Sequence, residues 1–233
     1  MTTMRKPRKA ALFDLDDILT DQAAAFTAWA AEFADATGIP LPWLMRAETC
    51  HAGARHAFTD LKETFKIQRS IASLHADHRQ RSAEVVPVRP EVRCAVHQLV
   101  DDGWALGVVT TGSPNAQRRK LDVARLIHYF SSFVISGEYG IRKPSEALFQ
   151  VVLDELGVDG PADGVMTGGC LLAVISGGQR AGLRIVWLAN GRTRRGLDTE
   201  PTYVAPDVVE TSDWLLRNPP PADRPSALSL LGG

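Results

Sequence analysis

The sequence predicts an α/β fold with a parallel sheet, and three observations carry that prediction. The apolar run Ala10-Ala11-Leu12-Phe13 is short and ends abruptly in the acids Asp14, Asp16 and Asp17, as a strand buried on both faces does where it meets a ligand-binding crevice. From Pro90 onward, short apolar runs alternate with segments of helical period. Between Asp21 and Val85 nothing alternates as a strand would, so the first strand is followed by a helical insertion.

Along the insertion, Phe26, Trp29 and Phe33 recur at helical spacing in an alanine-rich segment that stops near Gly38 and Pro40. A short helix over Pro42 to Cys50 follows. Gly53 to Phe65 places Phe58, Leu61 and Phe65 on one face, and Ile67 to about Glu84 makes a further helix. Pro87 and Pro90 close the insertion. We therefore expect a core from residues 1–21 and 87–217, a helical cap over 22–86 acting as a lid, and a disordered tail over 218–233, where Pro219, Pro220, Pro221 and Pro225 cluster.

The alternation begins with a helix over Glu91 to Asp102 that buries Val92, Val96, Leu99 and Val100 and stops at Gly103. Strands are expected at Trp104–Thr110, Phe133–Ile135, Gly164–Thr167 and Arg184–Leu188, with a short edge strand at Asp207–Val209. Helices fill the gaps: from Pro114 to near Arg125, after Pro144 on the stripe Leu148, Val152 and Leu156, over about Leu171 to Ala181, and from Thr211 to Arg217. Pro144 suits the first turn of its helix, which leaves Lys143 in the loop just ahead. Right-handed crossovers between such units give a parallel sheet covered by helices on both faces.

Composition narrows the function. The 233 residues are 45% hydrophobic and 23% charged, and Lys+Arg 26 against Asp+Glu 27 leaves a net charge of -1. No global field favours nucleic acid or an acidic membrane, so the expected partner is a small molecule. Cys50, Cys94 and Cys170 are odd in number and widely spaced, which argues for a reducing compartment rather than a disulfide framework. No apolar run approaches ~18 residues and no apolar segment backs the basic N-terminus, so neither a membrane span nor a signal peptide is expected, and the location is expected to be cytoplasmic.

Asp14 and Asp16 fall on one face of the strand tip, where like charges repel unless a cation or basic group compensates them. Phe13-Asp14-Leu15-Asp16-Asp17, Val109-Thr110-Thr111-Gly112, Ile135-Ser136-Gly137-Glu138 and Arg142-Lys143-Pro144 follow one another in the order and spacing of a known set of motifs. Over about residues 9 to 216 the chain resembles the haloacid dehalogenase-like (HAD) superfamily, in the subclass with a helical C1-type cap. The resemblance implies a Rossmann-like core and a phosphoryl-transfer site acting on a small phosphorylated molecule. Asp14 would be the nucleophile that forms an aspartyl-phosphate, and Asp16 the acid and base. Thr110 would hold a phosphate oxygen, with Thr111 and Gly112 as neighbouring backbone donors, and Lys143 would offset the charge of Asp14 and of the phosphate. Magnesium would bridge Asp14, the second Asp and the acids of a fourth motif.

The fourth motif departs from the family pattern. Its two acids fall at Gly169 and Val174, and the whole stretch from Gly164 to Leu197 contains no Asp or Glu. The expectation is magnesium held weakly by Asp14 and Asp16 or absent, with Lys143 paired directly to Asp14. Ile18, where the family usually has Thr, is a lesser departure. Gly168-Gly169 reads either as an anion-binding nest of N–H groups or as a plain strand-to-helix turn. In the cap, His51 and Arg55 stand four apart, on a face that is either solvated or turned to the substrate; Arg55 is the cap's candidate substrate contact. Three readings follow: a phosphatase-type hydrolase with an impaired metal site, a lapsed enzyme that binds a ligand or partner, and, last, metal-free dehalogenase-type chemistry, disfavoured by the presence of Asp16.

Overall fold

The computed structural model describes residues 9–50, 54–158, 160–170, 176–190 and 200–220, except the side chains of 47–50 and 54–56. Six strands form one parallel sheet in the order β3-β2-β1-β4-β5-β6. They are β1 (Ala10–Phe13), β2 (Ala105–Thr110), β3 (Ser132–Ile135), β4 (Gly164–Gly168), β5 (Arg184–Leu188) and β6 (Tyr203–Ala205). Strand order reverses between β1 and β4, which locates the ligand crevice of such sheets at their carboxyl ends. Asp14 follows β1 there, and its N–H donates to the Thr167 carbonyl of β4 at 2.9 Å.

Alternation along β1 feeds two cores. Ala11 and Phe13 point into a cluster with Val92, Val96, Leu121 and Leu215, whereas Ala10 and Leu12 point into one with Leu148, Val152 and Leu156. The first core is roofed by α5 (Pro90–Asp101), α6 (Pro114–Val123) and α10 (Val208–Arg217), the second by α8 (Glu146–Leu156). Backbone approach there is close: a Cβ on Gly107 of β2 would come within 2.6 Å of Val152 Cγ2. Short helices α7 (Ser136–Tyr139) and α9 (Gly177–Arg180) complete the core.

The insertion after β1 is helical, as its pattern predicts: α1 (Gln22–Thr37), α2 (Leu41–Cys50), α3 (Ala54–Phe65) and α4 (Ile71–Glu84). Asp21 caps α1 by accepting the Ala24 N–H at 2.8 Å, and Gly38 ends it in the left-handed region at φ 73. Ser70 caps α4, so that helix begins four residues later than Ile67. These helices share a cluster of their own around Phe26, Trp29, Phe33, Phe58, Leu61 and Leu74. α4 then packs on α6, which brings this helical unit beside the loop that follows β2.

Three local readings are corrected. The edge strand is Tyr203–Ala205, not Asp207–Val209, because the Asp207 side chain accepts the Glu210 N–H at 2.9 Å and so starts α10 at Val208. Val100 is exposed, and Ala95 takes its place on the buried face of α5. Gln117 and Lys120, unremarked in the sequence, are buried. His51, Val174, most of the tail and the first residues of the helix expected from Leu171 lie outside the described residues, as does the side chain of Arg55. Cys94 and Cys170 are free and exposed, and no helix among the described residues is long and apolar enough to cross a membrane.

Candidate active site

The loop after β1 is a tight reversal organised by one carbonyl. Leu15 O receives the N–H groups of Ile18, Leu19 and Thr20, at 3.3, 3.0 and 3.1 Å, and the Thr20 hydroxyl at 3.2 Å. Leu15, Ile18 and Leu19 are buried in the sheet core, which anchors the loop and leaves Asp14 and Asp16 part-exposed beyond the end of β1. Ile18 therefore serves as a packing residue.

Each of these carboxylates has its own ammonium. Lys143 Nζ lies 2.5 Å from Asp14 Oδ2, with the lysine side chain 5% exposed and the aspartate 16%. Its second bond, 3.0 Å to the Val109 carbonyl, pins the ammonium at the end of β2 and leaves one N–H for another acceptor. Asp14 Oδ1 accepts the Leu15 N–H at 2.8 Å. The expected Asp14–Lys143 pair thus forms.

Asp16 is held by two residues that the sequence reading missed. Lys120 Nζ donates to Asp16 Oδ1 at 2.6 Å and to Gln22 Oε1 at 2.8 Å, so one ammonium of α6 ties the core carboxylate to the first residue of the cap. Gln117, one turn earlier, donates from Nε2 to Asp16 Oδ2 at 3.1 Å and to Thr110 Oγ1 at 2.8 Å. Thr110 is buried at the end of β2, with its hydroxyl accepting this bond and still able to donate. Residues 117 and 120 share the inward face of α6 with Leu121, and that helical spacing was the available signal.

The second-motif loop behaves differently from expectation at one point. Thr111 and Gly112 line the crevice beside Asp16, but the Gly112 N–H donates to Ser136 Oγ at 3.1 Å, so the fold itself uses that donor. Gly169, at the end of β4, presents no side chain, and its carbonyl accepts the Trp187 indole N–H at 3.1 Å. Among the described residues no group of three or more His, Cys, Asp or Glu side chains could hold a metal ion.

A cleft of about 140 Å³ opens from Asp16 and this loop towards the cap, where α4 contributes His78, Arg79 and Ser82. His78 is 9% exposed and packs edge-on against Trp29 and Phe26, with ring centroids 4.7 and 5.7 Å apart. Burial, reinforced by the nearby Lys120 ammonium, lowers its pKa to about 4, so it is neutral at physiological pH. His78 Nε2 and Ser82 Oγ are buried with no hydrogen-bond partner.

The same architecture occurs in proteins already solved. YfnB, a HAD-family hydrolase of Bacillus subtilis whose structure was determined bound to magnesium, superposes with a TM-score of 0.77 over 90% of this chain and 99% of its own, at 22% identity. The L-2-haloacid dehalogenase of Xanthobacter autotrophicus superposes with a TM-score of 0.68 over 90% of this chain and 98% of its own, at 14% identity. Both likenesses are of fold. In sequence the chain is 38% identical over 122 residues to the phosphoserine phosphatase of Thermus thermophilus, covering 52% of this chain and 47% of that protein. It is 33% identical over 147 residues to the N-acylneuraminate-9-phosphatase of Mus musculus, covering 58% and 59%. The chain spans about half the length of the curated relatives it matches. The family model for haloacid dehalogenase-like hydrolases matches residues 8–182, and on that match, with the sheet order and the motif loops in place, this chain belongs to the haloacid dehalogenase-like hydrolases.

Proposed function

We propose that the protein is a phosphatase-type hydrolase of small phosphorylated molecules with Asp14 as its nucleophile. The observation that carries this reading is the pair of carboxylates, Asp14 and Asp16, on one loop at the tip of the central strand, each beside an ammonium. Phosphatases among the relatives support the reaction class. Asp14 attacks phosphorus, the bond to the leaving oxygen breaks, and an aspartyl-phosphate forms. Asp16 relays to the leaving oxygen the proton that the monoester carries on its phosphate, then takes one from the water that attacks the phosphorus and hands it to the departing phosphate, which regenerates Asp14 and Asp16. The unspent N–H of Lys143 and the hydroxyl of Thr110 stabilise the charge on the phosphoryl oxygens.

The donor set is a poor match to magnesium. That ion demands near-octahedral oxygen ligation and is reluctant to lose its waters. Here Asp14 and Asp16 already spend their oxygens on Lys143, Lys120 and Gln117, and Gly169 offers no carboxylate. In this reading the two ammoniums compensate the carboxylates, and no step depends on the ion. The same departure favours a second reading, a lapsed enzyme that binds phosphorylated ligands without turning them over.

A broad phosphomonoester panel, assayed with magnesium and with chelator, separates the two. Turnover that survives chelation and is lost in Asp14→Asn is the expected result. Turnover that appears only in Gly169→Asp with magnesium would establish the lapsed enzyme, and none in any variant would overturn both hydrolytic readings.

A further inference from the structure

The geometry points to a second anion subsite on the cap side of the cleft, built by His78, Ser82, Arg79 and Lys120, that takes a carboxylate at the far end of a small phosphorylated acid. This rests on the phosphatase reading above and names its substrate class.

His78 and Ser82 stand four apart on α4, and both line the cleft beside Lys120. His78 Nε2 and the Ser82 hydroxyl are buried more than nine-tenths and have no partner, although buried polar groups in folded proteins nearly always have one. Two such groups on one helix face, lining one cleft, mark a site that a ligand completes. The character of that ligand follows from the donors. Lys120 has an N–H left after Asp16 and Gln22, Ser82 has its O–H, neutral His78 can carry its proton on Nε2, and Arg79 stands exposed at the rim. The one carboxylate lining the cleft, Asp16, is already bonded to Lys120 and Gln117. Two cations, Lys120 and Arg79, flank two neutral groups that can each donate, and the lining carboxylate is already bonded, so the site suits an anionic acceptor, an ionised carboxylate. A cleft of about 140 Å³, against the ~300–1,000 Å³ that enclose drug-sized ligands, suits a small end group such as a carboxylate rather than a bulky one.

Isothermal titration of the full chain with three phosphonates tests this, because a carbon–phosphorus bond is not hydrolysed and binding is read without turnover. The probes are 3-phosphonopropionate, propylphosphonate and 3-hydroxypropylphosphonate. The carboxylate probe is expected to bind at least tenfold more tightly than either of the others, and the advantage should shrink severalfold in Ser82→Ala, His78→Gln and Arg79→Gln. Arg79 is exposed, so its variant keeps the fold whatever the buried positions do. Equal affinities for all three probes would overturn the subsite while leaving the phosphatase reading intact, as would an undiminished advantage in Arg79→Gln and Ser82→Ala. Preference for the hydroxyl probe would mean that the buried pair serves a neutral group or water. Absence of binding by any phosphonate would overturn both proposals, whereas a tenfold carboxylate preference without turnover on the panel would keep the subsite and sink only the hydrolase.

Discussion

Lowering the pH should unfold this protein through His78. The ring is enclosed by Phe26, Trp29 and Phe58, is 9% exposed and has no partner on Nε2, and its pKa is lowered to about 4. In the unfolded chain the imidazole returns to 6.5. A depressed histidine stabilises the fold only while it is neutral: above about pH 6.5 the contribution is complete, and between 6.5 and 4 the unfolded state takes a proton that the native state refuses. Stability then falls by about 1.4 kcal/mol per pH unit, and integrating to pH 4.5 gives a loss of about 2–3 kcal/mol. Urea denaturation at steps from pH 7.5 to 4.5, on the wild type and on His78→Leu, isolates the effect from the carboxylates, which titrate in both. The wild type should lose about 2–3 kcal/mol more than the variant over that range. Parallel stability curves for the two proteins would refute the assignment of a buried, neutral imidazole to the cleft wall.

The two ion pairs should respond unequally to removal of their members. Asp16→Asn leaves the Lys120 ammonium, whose side chain is 8% exposed, with Gln22 but without its counter-charge and should cost about 3 kcal/mol, whereas Lys120→Met leaves Asp16, 34% exposed, open to water and should cost about 1 kcal/mol; the reverse order in denaturant midpoints would contradict the burial argument. Gly107→Ala would drive a methyl group to within 2.6 Å of Val152 Cγ2 and 3.1 Å of Leu12 Cδ2, so a loss of about 1–3 kcal/mol by urea unfolding is expected, with no loss meaning that α8 shifts away freely. Magnesium titrated calorimetrically should give a saturable isotherm with Gly169→Asp and not with the wild type over the low-millimolar range. Saturable binding by the wild type would show that Asp14 and Asp16 release their lysines to the ion.

The sheet was legible because buried parallel strands are short apolar runs that break at Gly, Pro or acid, and the described strands β1 to β5 each read that way. Lys143 was legible from its motif, although Pro144 does not open the following helix as expected: Ser145 is the N-cap and α8 starts at Glu146. Lys120 was not. It ends the run Gln117-Arg118-Arg119-Lys120, which in one dimension is an ordinary solvated face. Only the docking of α6 separates the three cations: Arg118 turns to Glu138 at 2.9 Å, Arg119 to Asp122 at 2.7 Å, and Lys120, rotated inward beside Leu121, meets Asp16. Asp207 was misread for a related reason. The doublet Val208-Val209 has strand propensity, but an aspartate ahead of it that satisfies the Glu210 N–H decides for a helix.

Charge balance accounts for two carboxylates sharing this loop. Two carboxylates on one loop, at 16% and 34% exposure, repel each other unless positive groups stand beside them. In this chain Lys143 and Lys120 supply one positive charge each, so Asp14 and Asp16 with their partners sum to zero before any ligand arrives. A divalent ion added between them would have to break both pairs, and no acid on β4 would repay the loss. A phosphorylated acid instead brings its phosphate to the free N–H of Lys143 and its carboxylate to that of Lys120, and it enters without displacing either lysine. The arrangement is therefore self-consistent as an anion site.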